Sequence, residues 1–432
     1  MRTDGPSRPT DSAIHYWGLT QLLRSKASQN SPADSMRAYI LGRRLALAAT
    51  VGACGGGGNS PAPIEPPGSG ALRVVTVTQG TRVDADGFTV TLPGGRSRAI
   101  GVNDSVTFED LPVGTYVVEL QSVAWNCDKE DGAPLKTSAV VSAGGTARVT
   151  FPVLCGPVVV LDEAHNNYHT LSERYRPFGE FLRMNGFVVR TSSNAFTAAA
   201  LAGIDVLVIS NALNVQNLTI WSLPTPSAFT TEEIAGVKTW VEGGGALFLI
   251  ADHMPFPGAA EELAAAFGVK FRNGFAFDTL QLRSPKPCLL EPEIQIFRRS
   301  DGSLRAHPLT NGRNASERVD SVATFTGQAF EPTASPEPLL VLGSTAVQLF
   351  PTTAWEFSAS TEVGVDGWPQ ASVREMGSGR AAFFGEAAMF SAQTCFGGAG
   401  LGAVPMGMNS PLAEQNGQLL LNALRWLIRE LE

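Results

Sequence analysis

The chain has 432 residues, 44% of them apolar and 17% charged, with 32 Lys plus Arg against 40 Asp plus Glu and a formal net charge of −8. That apolar content excludes a disordered chain, and the length predicts two or three domains. The acidic balance, with no run of Lys or Arg, excludes a nucleic-acid binder, because phosphate contacts need a dense basic face; small molecules, glycans and proteins remain as partners.

Residues 1–35 carry no periodic apolar pattern and read as an extension or disordered segment ahead of a start at Met36. The stretch from Met36 has a basic flank ending in Arg43 and Arg44, then the apolar run Leu45 to Ala53, then Cys54. A basic flank, a short apolar run and small residues before the cut make a secretory signal. The run is far shorter than the about 20 residues that span a bilayer. Val51-Gly52-Ala53-Cys54 resembles the bacterial lipobox, which implies a lipidated Cys54 at the mature amino terminus and a membrane anchor in the cell envelope. The signal segment is thus 36–54, and the Gly, Asn, Ser and Pro-rich residues 55–70 are a predicted flexible tether. A buried helix that ends in Cys is the alternative.

Residues 71–155 predict a small β-sandwich. Leu72 to Thr78, Phe88 to Leu92, Ser105 to Phe108, Thr115 to Leu120, Ser138 to Ser142 and Ala147 to Val153 alternate apolar with polar residues or are rich in Val and Thr. Turn clusters such as Pro93-Gly94-Gly95 separate them. The segment Leu111-Pro112-Val113-Gly114-Thr115-Tyr116 resembles a strand-turn of prealbumin-like and carboxypeptidase-regulatory-like modules, which implies a spacer or a binding platform. Cys127 and Cys155 sit where a disulfide would close this domain at its exit.

Residues 156–432 alternate strand and helix patterns. Val158 to Leu161, Phe187 to Arg190, Val206 to Ile209, Ala246 to Ala251 and Arg380 to Gly385 read as buried strands, apolar on both faces. Helices are expected over Arg174 to Asn185, from Thr230 with its acidic first turn, over Ala259 to Phe267 and over Gln415 to Leu431. The fold class is therefore α/β, a doubly wound, mostly parallel sheet behind a small β-sandwich.

Three phrases, Asp205-Val206-Leu207-Val208-Ile209, Trp240 through Ile250, and Phe384-Gly385-Glu386 with Asn422 through Leu427, resemble the class I glutamine amidotransferase-like superfamily. Within it they look most like envelope proteins related to gliding-motility accessory proteins. The resemblance implies a nucleophilic Cys on the turn after the strand that ends at Ala251. Here that turn reads Asp252-His253-Met254-Pro255, so a thiolate attack from that position is excluded and the protein is not expected to be a glutamine amidotransferase.

Ligands of open α/β sheets bind beyond the carboxyl ends of the strands. Asp162, His165, Asn166 and His169 follow the first strand, Asn211 the third, Asp252 and His253 the fourth, and Glu386 a later one. Asp162, His165, Asp252 and His253 are the expected catalytic set, two carboxylates and two imidazoles. They suit either a divalent metal such as Zn with an open position for water, or metal-free general base catalysis. Asn166, His169, Asn211 and Glu386 are expected to position substrate. Each residue also has a structural reading, as a helix cap or a neutral packed imidazole. His307, in Ala306-His307-Pro308, reads as a structural turn. Cys288 and Cys395 are placed to form a second disulfide, with a reactive thiol at either as the alternative. The expectation is a lipid-anchored, extracytoplasmic, hydrolase-like protein that works without cysteine; the competing one is a non-catalytic binding or structural lipoprotein on the same fold.

Overall fold

The computed structural model describes residues 68–129, 132–280, 294–396 and 403–432. The signal segment, Cys54 and Cys288 lie outside them. Among the described residues no helix is long and apolar enough to cross a membrane.

Eight strands come first: β1 (Ser69–Gln79), β2 (Phe88–Leu92), β3 (Arg96–Ile100), β4 (Ser105–Pro112), β5 (Gly114–Gln121), β6 (Cys127–Lys129), β7 (Lys136–Val141) and β8 (Thr146–Cys155). They form two four-stranded sheets, ordered β4-β1-β8-β6 and β3-β2-β5-β7. Alternation is the cause: Leu72 and Val74 of β1, Val90 of β2, Val118 of β5 and Phe151 of β8 all turn to one shared core. Tyr116 ties its own turn, its hydroxyl donating to the Pro112 carbonyl at 2.8 Å. Cys127 and Cys155 are joined in a disulfide and face each other across the β6–β8 ladder. Strands β3 and β6 were not predicted. The first is an exposed, Arg-bearing edge with no apolar alternation, and the second is only 3 residues long.

The second unit begins with β9 (Val158–Asp162), α1 (Arg176–Met184), β10 (Val188–Ser192), β11 (Val206–Ser210), α2 (Thr231–Glu242), β12 (Ala246–Ile250) and α3 (Phe256–Ala266). Next come β13 (Phe275–Asp278), β14 (Ile294–Arg298), α4 (Pro308–Asn311), β15 (Ser321–Phe325), β16 (Glu337–Val341), β17 (Ala346–Phe350) and β18 (Thr361–Gly364). Last are β19 (Pro369–Met376), β20 (Gly379–Phe384), β21 (Ala392–Phe396), β22 (Ala403–Gly407) and α5 (Asn416–Leu427). Seven strands make the central sheet in the order β10-β9-β11-β12-β20-β19-β16. The first five are parallel; β19 and β16 add on through antiparallel ladders.

Helices cover both faces of this sheet. Val159, Leu161, Val208, Phe248 and Phe384 meet Phe178 and Leu182 of α1 and Leu420 and Leu424 of α5. Leu207, Ile209, Leu247, Leu249 and Phe383 meet Val237 and Val241 of α2 and Leu263 of α3. Local chemistry sets the helix ends. Thr230 and Glu233 form a capping box at the start of α2, and Pro257 at the first turn of α3 lets that helix begin at Phe256, three residues before the expected Ala259. Helix α5 stops at Leu427 rather than Leu431, with Arg429 in the left-handed region at φ +63°.

Candidate functional site

The strand order reverses between β9 and β11, since β10 and β11 lie on opposite sides of β9. At such a switch point the loops leaving the two strands diverge and open a crevice at their carboxyl ends. There β9 ends in Asp162 and the loop after β11 begins with Asn211, and the loops after β12 and β20 bring Asp252 and Glu386.

The expected catalytic set is divided between two networks. Asp162 accepts from His165 Nδ1 at 2.9 and 3.0 Å, and His165 Nε2 lies 3.0 Å from Glu233 Oε1. Phe196 and Phe229 close over that imidazole, with ring centroids 4.5 and 4.8 Å away. Burial works against the charged ring, but Asp162 and then Glu233 outweigh it and raise the His165 pKa above its ordinary value. Glu233 is held below its ordinary value: burial would push it up, and bonds from Thr230 and His165 reverse that. This is a buried clamp joining the β9 loop to the first turn of α2.

His253 sits elsewhere, stacked on Phe275 at 4.6 Å and edge-on to Trp355 at 4.7 Å, with Nδ1 on the Met254 carbonyl at 2.8 Å. Both nitrogens of His165 therefore face carboxylates and one nitrogen of His253 faces backbone, so the two imidazoles do not present a shared metal position. Among the described residues no three His, Cys, Asp or Glu side chains gather in a metal-holding group.

What does converge is Asp252, Glu386, Asn211 and His169. Asn211 links them. Its Oδ1 accepts the Asp252 backbone N–H at 2.9 Å, which orients the amide so that Nδ2 donates to His169 Nδ1 at 3.0 Å. His169 Nδ1 is thus an acceptor and the ring is neutral with its proton on Nε2. Burial pushes the pKa of His169 well below its ordinary value, and the Arg174 and His253 charges add to the effect. Tyr175 stacks on His169 at 4.7 Å and donates to the Ala387 carbonyl at 2.9 Å.

The two carboxyl groups are unusual. Asp252 is 7% exposed and Glu386 0%. Burial raises the pKa of Asp252 from 3.8 to about 7, against bonds from the backbone of His253 and Ala387 and from the Asn211 side chain. Glu386 is raised well above its ordinary value by burial and then by the neighbouring Asp252, although the Ala388 and Met389 N–H groups bond its oxygens at 2.6 and 2.8 Å. Two carboxyls that cannot both ionise readily in one buried site hold a proton near neutral pH, the condition for a general acid beside a general base.

Backbone strain gathers at the same end of the sheet. Asn166 and Asn211 have φ +50°, Thr326 φ +90° and Trp355 φ +69°. Asn tolerates that region; a β-branched Thr and a bulky Trp do not adopt it without cost. Asn166 itself only ties its loop, donating to the Leu213 carbonyl at 3.2 Å. His307 caps α4 through Nδ1 and packs edge-on to Trp426, as its sequence setting predicts. Cys395 is disulfide-bonded, and its expected partner Cys288 lies outside the described residues. Glu233 and Tyr175 were missed as site residues. Thr230-x-x-Glu233 announced a helix cap, but nothing in its spacing connects that Glu to His165, 68 residues away.

No protein-family model matches the chain, and no curated protein matches it. Solved structures with a similar backbone include the N-terminal domain of mmIFT52, 14% identical over 62% of this chain and 97% of that one, TM-score 0.44. A ThuA-like protein from Bacteroides uniformis ATCC 8492 is 14% identical over 63% and 90%, TM-score 0.34. The β-galactosidase from Rahnella sp. R3 is 10% identical over 63% and 31%, TM-score 0.32. Likenesses of this size bear on no residue of the site.

Proposed function

We propose that the chain is a hydrolase-like protein of the envelope whose acid–base chemistry is carried by Asp252 and Glu386, on an α/β domain of the amidotransferase-like type. The observation that carries this reading is the buried carboxyl pair with raised pKa values at the switch-point end of the sheet. The resemblance would put a nucleophilic thiol on the turn where Asp252 stands, so the pair takes the place of cysteine chemistry. Asp252, half ionised near pH 7, accepts a proton from water as the water oxygen bonds to the electrophilic centre. Glu386 gives its proton to the departing oxygen or nitrogen, and the proton on Asp252 then returns to Glu386 or to solvent. Neutral His169 and Asn211 hydrogen-bond the reacting group without adding charge. The resemblance of Val51 to Cys54 to a lipobox supports export and a lipid anchor.

The test is hydrolysis of chromogenic esters, glycosides and anilides by the purified chain, with Asp252→Asn beside it. An active substrate class should show a rate that rises through about pH 7. Asp252→Asn should lower kcat by about 100-fold or more. A folded wild-type chain that cleaves none of the three classes sinks the reading.

One observation favours a non-catalytic alternative. Glu386 is fully buried and spends both oxygens on the backbone of the turn at Ala388–Phe390, as a purely structural cap would. Under that reading Asp252→Asn changes stability and its pH dependence but no turnover.

A further inference from the structure

Three of the large aliphatic side chains exposed among the described residues fall on one loop. Val215, Ile220 and Leu223 are 69, 63 and 53% exposed, on the segment that runs from Asn211, just after β11, to Thr230, the cap of α2. No charged residue occurs between Asp205 and Glu232. The exposed Val117 and Val140 of the sandwich stand in a different setting, because Glu119 and Lys136 form an ion pair on the same β5–β7 ladder.

The main chain of this loop is satisfied from within the protein. The buried Asn217 places its Nδ2 3.2, 3.0 and 3.3 Å from the carbonyl oxygens of Ile220, Ser222 and Pro224. The Leu223 N–H donates to the Thr352 carbonyl at 2.9 Å, and the Trp221 carbonyl accepts from the Ala354 N–H at 2.8 Å. Asn214 donates to the Ser227 carbonyl at 2.7 Å and accepts from the Gln216 N–H at 3.0 Å. At the root, Trp221 packs on Tyr168 and Phe256, with ring centroids 5.4 and 5.2 Å away. A loop that stays in water can leave its carbonyls to the solvent. One that enters an apolar medium must satisfy them internally, because nothing there replaces the lost hydrogen bonds.

We propose that Val215, Ile220 and Leu223 are a shallow membrane contact, seated at the boundary between the headgroups and the acyl chains of a phospholipid bilayer. The inference rests on the envelope part of the reading above. Residues 55–67 separate Cys54 from Gly68 and reach about 50 Å at most, so an acylated Cys54 keeps the folded units near the bilayer. The loop then meets lipid as an intramolecular event, and three aliphatic side chains suffice to set the orientation of a chain anchored elsewhere. Because the loop leaves the sheet at Asn211, whose Oδ1 accepts the Asp252 N–H, its contact turns the Asp252 end of the sheet toward the bilayer.

The chain from residue 55 keeps both folded units and lacks the apolar run and Cys54, so any contact it makes with lipid is its own. With neutral phosphatidylcholine vesicles at about 5 mM lipid it should float with the vesicles. Ile220→Asp together with Leu223→Asp should cut the floated fraction about 10-fold, and Ile220→Trp should raise it. Val117→Asp together with Val140→Asp should leave it unchanged. Near-ultraviolet circular dichroism equal to that of the parent chain shows that each variant is folded. Absence of flotation overturns the proposal, as does flotation that the loop pair leaves intact or that the sandwich pair abolishes equally. A dimer in light scattering that Ile220→Asp dissolves also overturns it, by assigning the loop to a second copy of the chain. The mass of the full chain isolated from membranes tests the anchor separately: an unacylated Cys54 overturns the envelope reading, whereas an acylated chain whose loop binds no vesicles overturns the loop contact alone.

Discussion

The pKa of Asp252 reverses the usual relation between acid groups and stability. Most buried carboxylates are paired and hold their proton less tightly when folded; Asp252 holds it more tightly, with a folded value of about 7 against an ordinary 3.8. Between about pH 4 and 7 the unfolded chain has lost this proton while the folded chain keeps it, so stability falls as pH rises across that window and is level above it. Glu386, also raised well above its ordinary value by burial and by Asp252, contributes with the same sign. Asp252→Asn cannot ionise and should lack its share of the slope, gaining relative to wild type by at most about 4 kcal/mol at pH 8 and by nearly nothing at pH 4. Urea midpoints of the two proteins across pH 4.5 to 8.5 decide it: parallel curves contradict the assignment. In the clamp, His165 has the same sign as Asp252 and Glu233 the opposite one. The raised pKa of His165 contributes stability that is complete below about pH 6.5 and is lost as pH rises through the folded value, whereas the lowered Glu233 contributes above about pH 4.5 and loses that as pH falls. Removing the ring by His165→Ala strands Asp162 and Glu233 as buried carboxylates and should cost about 3–5 kcal/mol, measured by the same denaturation at pH 6.

At the scale of elements, the helix-to-strand joint before β12 is closely packed. Gly243 closes α2, and Gly245 then enters β12 with the Trp240 indole flat against it; a Cβ there would lie 2.3 Å from Trp240 Cε2. Gly245→Ala should therefore destabilise the fold by about 1–3 kcal/mol, and Trp240→Ala should restore most of that loss in the double variant, read as a non-additive shift in melting. The same segment shows what the sequence discloses. Ala246 to Ile250 is an unbroken apolar run between a glycine stop and a polar turn, so its strand is readable to within a residue, as are β9, β11 and β20. Strands β13 to β19, β21 and β22 were not read. They are short antiparallel pieces whose burial comes from distant partners, such as Phe275 against Trp355 and Gln348 bonding the Ala329 amide. The site divides likewise. Its residues were found because strand ends collect polar groups, but their grouping was not, because Asn211 and Glu233 select partners through loop geometry that no local spacing encodes.

At the scale of the molecule, the sandwich and the α/β unit meet across a small polar seam. The chain crosses it through Gly156 and Pro157 alone, with β8 ending at Cys155 and β9 starting at Val158. Arg190 on the edge strand β10 lies over the Trp125 ring at 4.5 Å, donates to the Trp125 and Cys127 carbonyls at 3.0 Å, and pairs with Asp128 at 3.4 Å. Arg82 pairs with Asp205 at 2.6 Å, and Asp205 in turn accepts the Val158 N–H at 2.7 Å, so the second contact fastens the first residue of the central sheet. Half-exposed ion pairs contribute at most about 1 kcal/mol each and a cation over an indole about the same, so the seam is worth little beside either core. A short covalent crossing with weak contacts makes two units that unfold together only while Arg190 holds them. The wild type should show one calorimetric transition, which Arg190→Ala should split into two, with the site network of Asp252 and Asn211 melting with the α/β unit. An unsplit transition that moves by less than a degree would show instead that the Gly156-Pro157 crossing couples the two cores by itself.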